Sequence, residues 1–204
     1  MNLSSHELYE LNELTMSCVN SITHMGYMVK HIQDPDFLEI VNRHFPLHIR
    51  DYNMKVEFLS KVQGAKKELP LLKEDQRLDT LQTEFPTAPP VQPRTMVDNM
   101  NDREMATSYL LTLKRAGREY AWAAMEIVNP EIRSFCQTAF MMSCSHAYDM
   151  WQYMVKKGYY PVETAPQTQV GKIASMYLLV PETDSNQQMI NQNPINGSSD
   201  NLYQ

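Results

Sequence analysis

The predicted fold class is all-α: two antiparallel helical hairpins joined by one long crossover and packed as a four-helix bundle. Three observations carry the prediction. Apolar residues recur at alternating three- and four-residue spacings in four separate stretches, the period of one helix face. Two turns of the same build, Asp34-Pro35-Asp36 and Asn129-Pro130-Glu131, divide these stretches into pairs. Only six glycines occur in 204 residues, and no alternating Val, Ile and Thr runs are present, so a sheet lacks its usual signal.

The first hairpin is placed at residues 4–63. Ser4 with Glu7 three residues on has the spacing of a capping box, in which each satisfies the other's free amide. Leu8, Leu11, Thr15, Cys18, Ile22, Met25, Val29 and Ile32 then form an unbroken heptad-like seam, flanked and widened by Leu14 and Met28. A two-stranded coiled coil could use that seam, but the added width suits a bundle better. Asp34-Pro35 stops the helix and starts the next, because aspartate can accept from the first amides and proline has none to lose. The second helix carries Phe37, Ile40, Val41, His44, His48, Asp51 or Tyr52, and Leu59, and is predicted to run to about Val62. Pro46 lies inside it, and interior proline costs about 3 kcal/mol, so a kink or break is expected near Arg43 to Phe45.

A Pro-rich crossover is placed at 64–97. It holds one weakly amphipathic piece (Leu71, Leu72, Leu78, Leu81, Phe85) and then Pro86, Pro89, Pro90 and Pro93. A helix of about 28 residues is roughly 42 Å long, and a connection of this length can span it. The third helix can then lie parallel to the second, the arrangement of ferritin-like bundles.

The second hairpin is placed at 98–161. Asp98 or Asn99 is expected to cap it, and Asp102 and Glu104 suit the positive helix start. Ala106, Tyr109, Leu113, Ala116, Tyr120, Ala123 and Ile127 form a narrow seam that Arg103, Lys114, Arg115 and Arg118 avoid. Asn129 caps the last helix, Pro130 occupies its first position, and Ile132, Phe135, Ala139, Met142, His146, Asp149 and Tyr153 line its seam. Lys156, Lys157 and Gly158 form the expected C-terminal cap. Tyr159-Tyr160-Pro161 is predicted to fold back on the bundle end. An apolar segment, 162–181, is predicted to pack on the bundle, and the polar tail 182–204 to be disordered.

The net charge of -6 argues against nucleic acid or an anionic membrane as partner, since either needs a basic patch. No stretch approaches the roughly 18 apolar residues of a membrane span. Met1 to Ser5 lacks the basic start and apolar core of a secretory signal, so synthesis in the cytoplasm is expected. Cys18, Cys136 and Cys144 match no disulfide or zinc spacing and fall within helices, where a thiol most often packs as a small hydrophobe. The fifteen methionines read as adaptable core filler or a re-packable interaction surface. Trp122 and Trp151 fit either core or interface.

The sequence offers two chemical readings, metal binding and nucleophilic catalysis. Ferritin-like di-iron sites need Glu-x-x-His on two helices, and no such motif occurs in the four helices. His44, His48 and Asp51 nevertheless share one face of the second helix, and His146 with Asp149 form a similar pair on the fourth, spacings able to chelate a divalent cation. The plainer reading, which we take, is that these are partly buried residues hydrogen-bonded across the bundle. The mid-helix cysteines and serines have no strained turn to expose a nucleophile, and no phosphate loop occurs. No catalytic, cofactor or metal site is therefore expected.

Four motifs in one register carry a resemblance: Asn101-Asp102-Arg103, the run Leu110 to Lys114 with Tyr120, Asn129-Pro130-Glu131-Ile132-Arg133, and the run Tyr153 to Pro161. Together they resemble the Coat F family of endospore coat proteins over about 60 residues. The last helix departs from that family in being rich in sulfur and apolar residues (Phe135, Cys136, Phe140, Met141, Met142, Cys144). The resemblance implies a ferritin-like bundle, made in the mother-cell cytoplasm and deposited on the spore coat. It further implies other coat proteins as partners and no known enzyme chemistry, and a homo-oligomer is compatible with it. Gln187, Gln188, Gln192, Tyr203 and Gln204 would permit cross-linking of the tail. The alternatives kept open are a ferritin-like metal-binding protein and a helical adaptor that binds a partner helix.

Overall fold

The structure is a computed structural model that describes residues 3–60, 65–70 and 86–179. Among them are five helices and no strand: α1 Ser5–His31, α2 Pro35–Ser60, α3 Asp102–Glu126, α4 Pro130–Lys156 and α5 Gln167–Ala174. The chain divides into two compact units, residues 1–162 with α1 to α4 and residues 163–204 with α5. The piece from Leu71 to Phe85, the expected end of α2 at Val62 and the tail 182–204 lie outside the described residues.

Local chemistry starts and stops each helix as the sequence implies, with two exceptions. Ser4 and Glu7 form the reciprocal capping box of α1. The Asp34 carboxylate accepts from the Asp36 amide (3.0 Å) at the head of α2. Asn129 accepts from Glu131 (2.9 Å) and Ile132 (3.4 Å) at the head of α4. The cap of α3, however, is Asn101 rather than Asp98 or Asn99: it forms a second capping box with Glu104, and that acidic residue at the third helical position decides the frame. The second exception is α2, which is continuous through Pro46, so the expected break is absent. Asn42 and Pro46 both face solvent, where water can take the carbonyl that proline leaves unpaired. The buried side of the same turn is held by Val41, His44 and His48.

The hydrogen bonds between helices give their directions. Glu7 at the start of α1 accepts from the amides of Val128 (3.1 Å) and Asn129 (2.7 Å), past the end of α3. At the opposite end, Asp102 at the start of α3 accepts from Gln33 (3.0 Å) and Asp34 (2.7 Å), past the end of α1. Thus α1 and α3 are antiparallel. Lys156 donates to Asp36 and Arg43 to Asp149, so α2 and α4 are antiparallel too, and α2 runs parallel to α3. Residues 86–94 meet the end of α4 and the start of α3: the Ala88 amide donates to Gly158 O (3.2 Å) just past α4, while Arg103 in the first turn of α3 donates to Pro89 O (2.6 Å) and Arg94 pairs with Glu104 of the same turn. Gly158 has φ of +71°, and a Cβ there would collide with the carbonyl of Pro86. Tyr159 turns back beside Tyr153, with ring centroids 6.5 Å apart.

The interior has two apolar clusters. One gathers Leu11, Met54, Phe58, Ile127, Phe135 and Met142. The other gathers Met28, Phe37, Val41, Met105, Met150 and Met154. The predicted seams of α3 and α4 coincide largely with the buried faces, but that of α1 is half displaced. Leu11, Cys18, Met25 and Ile32 are buried as expected, and their partners are Leu14, Ser21 and Met28 instead of Leu8, Thr15, Ile22 and Val29. Both sets repeat every seven residues, and only contact with α3 on one side and α2 on the other selects between them.

In the second unit, α5 takes up the first part of the apolar segment. Pro166 precedes it without a side-chain cap, and Ser175 ends it.

Candidate functional site

Polar side chains from all four long helices are buried at mid-height, and they form two adjoining clusters. The first is a chain of hydrogen bonds. Arg43 donates to Asp149 Oδ2 (2.9 Å), which also accepts from His44 Nε2 (2.9 Å). His44 Nδ1 lies 3.1 Å from Tyr109 Oη, and His48 Nε2 lies 3.2 Å from the same oxygen and 3.2 Å from His146 Nδ1. Donor assignment follows from the carboxylate: Nε2 of His44 carries its proton, Tyr109 donates to His44 Nδ1, and His48 Nε2 donates back to Tyr109. The rings of His44 and His146 stack with centroids 3.7 Å apart and planes 10° apart.

All three imidazoles are held neutral. Burial pushes His44 below its ordinary value despite Asp149 beside it. It lowers His48 to about 4, and it lowers His146 further still, with His44 and His48 adding to the effect. Burial also raises the Tyr109 hydroxyl well above its usual range. The carboxyl of Asp149 is pushed up by burial, but hydrogen bonds from His44 and Arg43 outweigh this and leave it low.

The second cluster centres on Lys55, whose side chain is fully buried. Its ammonium donates to Asp51 Oδ2 (2.7 Å), Tyr120 Oη (2.6 Å) and Cys18 Sγ (3.0 Å), so its three protons are all used. The nitrogen also lies over the rings of Tyr120 (5.1 Å) and Phe135 (5.5 Å). Asp51 Oδ2 accepts in addition from Tyr120 (2.7 Å) and Cys18 (2.8 Å). Burial lowers the affinity of Lys55 for its proton, but Asp51 and then Cys18 more than restore it, and the net shift is upward. Burial raises the Cys18 thiol to about 11, with Asp51 adding to it. The cluster is therefore a buried ammonium–carboxylate pair with a neutral thiol and a neutral phenol hydrogen-bonded to it.

A cavity of about 20 Å³ separates the clusters, lined by Ser21, His48, Asp51, Tyr109, Tyr120 and Ser143 among others. It has room for about one water molecule, and one of its lining residues, Asp51, has an oxygen, Oδ1, without a protein partner.

The structure therefore brings His44, His48, His146 and Asp149 into one network but places Asp51 in the other. His44 gives its Nε2 to Asp149 and stacks on His146, so the ring nitrogens do not converge on one point. Among the described residues no group of three or more His, Cys, Asp or Glu is arranged to hold a metal ion. Lys55, Tyr109, Tyr120 and Cys18 were not expected to act together. The available signal was Asp51 and Lys55 at i, i+4 on a seam face, with a cysteine and two tyrosines on the facing seams.

Fold and interior together define a class: an all-helical protein whose polar centre is paired largely within itself, with Asp51 Oδ1 and His146 Nε2 left without a protein partner. Comparison with known families narrows it, because residues 101–163 match the model of the Coat F domain. The matched residues take in α3 and α4, the helices that supply Tyr109, Tyr120, His146 and Asp149 to the clusters. Among solved structures, a candidate spore coat protein of Bacillus halodurans C-125 is similar, with a TM-score of 0.59 and 11% identity over 81% of this chain and 96% of that one. At that identity the likeness is one of fold. No curated protein matches the chain. No helix among the described residues is long and apolar enough to cross a membrane.

Proposed function

We propose that this protein is a structural, non-catalytic component of the bacterial endospore coat, made in the mother-cell cytoplasm and assembled with other coat proteins. The observation that carries the proposal is the Coat F domain at 101–163, and the fold shared with the Bacillus halodurans protein agrees with it. We read the four long helices as a ferritin-like bundle: two antiparallel hairpins, the second parallel in its first helix to the last helix of the first, as one long crossover requires. The interior supports a structural role. Most of its polar groups are paired with one another, and the cavity between the two clusters admits about one water, far less than the several hundred Å³ of an ordinary ligand pocket.

The test is a fluorescent fusion of the whole chain followed through sporulation in its native host. A ring of signal around the forespore is the expected result. A diffuse signal in growing cells would overturn the proposal.

A further inference from the structure

One face of the bundle, along the groove between α1 and α3, carries apolar side chains that no other part of the described chain covers. Trp122 is 64% exposed, Met16 62%, Leu111 58% and Met125 71%. Leu111, Arg118, Trp122 and Met125 are separated by seven, four and three residues, so they share one outward stripe of α3. Met16 and Trp122 both line the groove, which measures about 670 Å³. Isolated exposed apolar residues are ordinary, but Trp122 and Met16 lining one groove, with Met125 and Leu111 exposed on the same helix, mark a contact surface.

The charges on its two flanks indicate what covers it. The α1 flank is acidic, with Glu10 and Glu13, and the α3 flank carries Arg115 and Arg118. Glu119 between them is engaged within the chain, receiving Arg115 (3.3 Å) and Ser17 (3.3 Å). Among the described residues, Glu13 and Arg118 have no ion-pair partner. One acidic and one basic flank on the same face make that face complementary to itself. A two-fold axis running along the helices places α1 of each copy opposite α3 of the other. An axis running across the helices would oppose like flanks.

We propose that the α1/α3 groove, with Trp122 at its centre, is the interface of a two-fold symmetric homodimer. Each Trp122 packs against Met16 of the second copy, and each Arg118 faces the second copy's Glu13. Isologous interfaces of this kind need only one self-complementary patch. The inference stands apart from the coat assignment, since it concerns only the surface of the isolated chain.

Sedimentation equilibrium of the full-length chain tests it. The wild type is expected to show twice the mass of one chain, and Trp122→Ser, which removes an aromatic anchor from each copy, to weaken the association by about a thousandfold. Arg118→Glu alone is expected to weaken it, while Arg118→Glu combined with Glu13→Arg, which exchanges the flanks on both copies, restores it. Helical content by circular dichroism checks that each variant folds. A wild type that stays monomeric at its highest attainable concentration would overturn the proposal. So would a dimer indifferent to Trp122→Ser, or a double exchange no tighter than the single reversal.

Discussion

Lys55 Nζ lies 2.7 Å from Asp51 Oδ2, one turn earlier on the same helix, and both side chains are shut away from solvent. A pair this buried gains little over an apolar pair of the same volume, because dehydration of both charges offsets their attraction. Removing one partner is a different matter.

Lys55→Met leaves the Asp51 carboxylate buried without its cation. It is expected to cost about 3–5 kcal/mol, whereas Lys55→Met with Asp51→Leu recovers most of that loss. Urea unfolding of both variants measures the difference. A single variant within about 1 kcal/mol of wild type would show that water or a relaxed backbone reaches the site.

Acid should loosen the bundle earlier than its carboxylates alone would dictate. The imidazoles of His44, His48 and His146, and of His24 on α1, are all lowered by burial from an ordinary 6.5. A depressed pKa means that the unfolded chain takes up protons first. The neutral rings' contribution is complete above about pH 6.5 and declines as pH falls toward the folded values, about 4 for His48. Each ring steepens the decline by about 1.4 kcal/mol per pH unit inside its window. His48→Gln should therefore flatten the stability profile between about pH 6.5 and 4 by that amount relative to wild type. An unchanged slope would mean that His48 is protonated in the folded state.

Two demands fall on Gly158: a left-handed backbone with φ of +71°, and room for the Pro86 carbonyl. Gly158→Ala meets neither, and its cost should reach at least the roughly 1–2 kcal/mol of the left-handed conformation. Gly158→Asn tolerates the backbone better but still brings a Cβ against Pro86. Thermal melting should rank wild type above Asn and Asn above Ala. An asparagine variant equal to wild type would show that residues 86–88 yield without cost.

The thiols of Cys18 and Cys136 are raised by burial to about 11 and about 12. Brief alkylation of the folded protein near about pH 8, where an ordinary cysteine reacts, should leave both unmodified, and alkylation in urea should modify both. Peptide mass spectrometry reads the outcome. Rapid labelling of Cys18 in the folded state would show that the central cluster opens to solvent.

Features decided within a few residues were legible in the sequence. Ser4 with Glu7, Asp34 with Pro35 and Asn129 with Pro130 place three helix starts because the cap and its amides are neighbours in the chain. Asn101 was missed because Asp98 and Asn99 cap equally well in isolation, and only Glu104 reaching back distinguishes them. The α1 stripe was half legible, since its two candidate registers differ only in which neighbour they face. His44, His48, His146 and Asp149 could be named from their seam positions. Lys55 could not, because a lysine on a helix reads as solvated until Asp51, Tyr120 and Cys18 are seen to use all its protons. Asp51 was grouped with the histidines on its own helix, and the tyrosine that draws it away lies 69 positions later.

The exchange of carboxylates between hairpins also sets an order of events on the ribosome. Glu7 takes its amides from Val128 and Asn129, and Lys55 has its phenol partner in Tyr120. When Ser60 has been translated, α1 and α2 are complete in sequence but half of what they bury does not yet exist. At about 5–20 residues per second, roughly 3–14 s pass before Asn129 is made. For that interval the nascent first hairpin displays an open methionine-lined face and a lysine meant for the interior, so the crossover is a delay line as well as a connection.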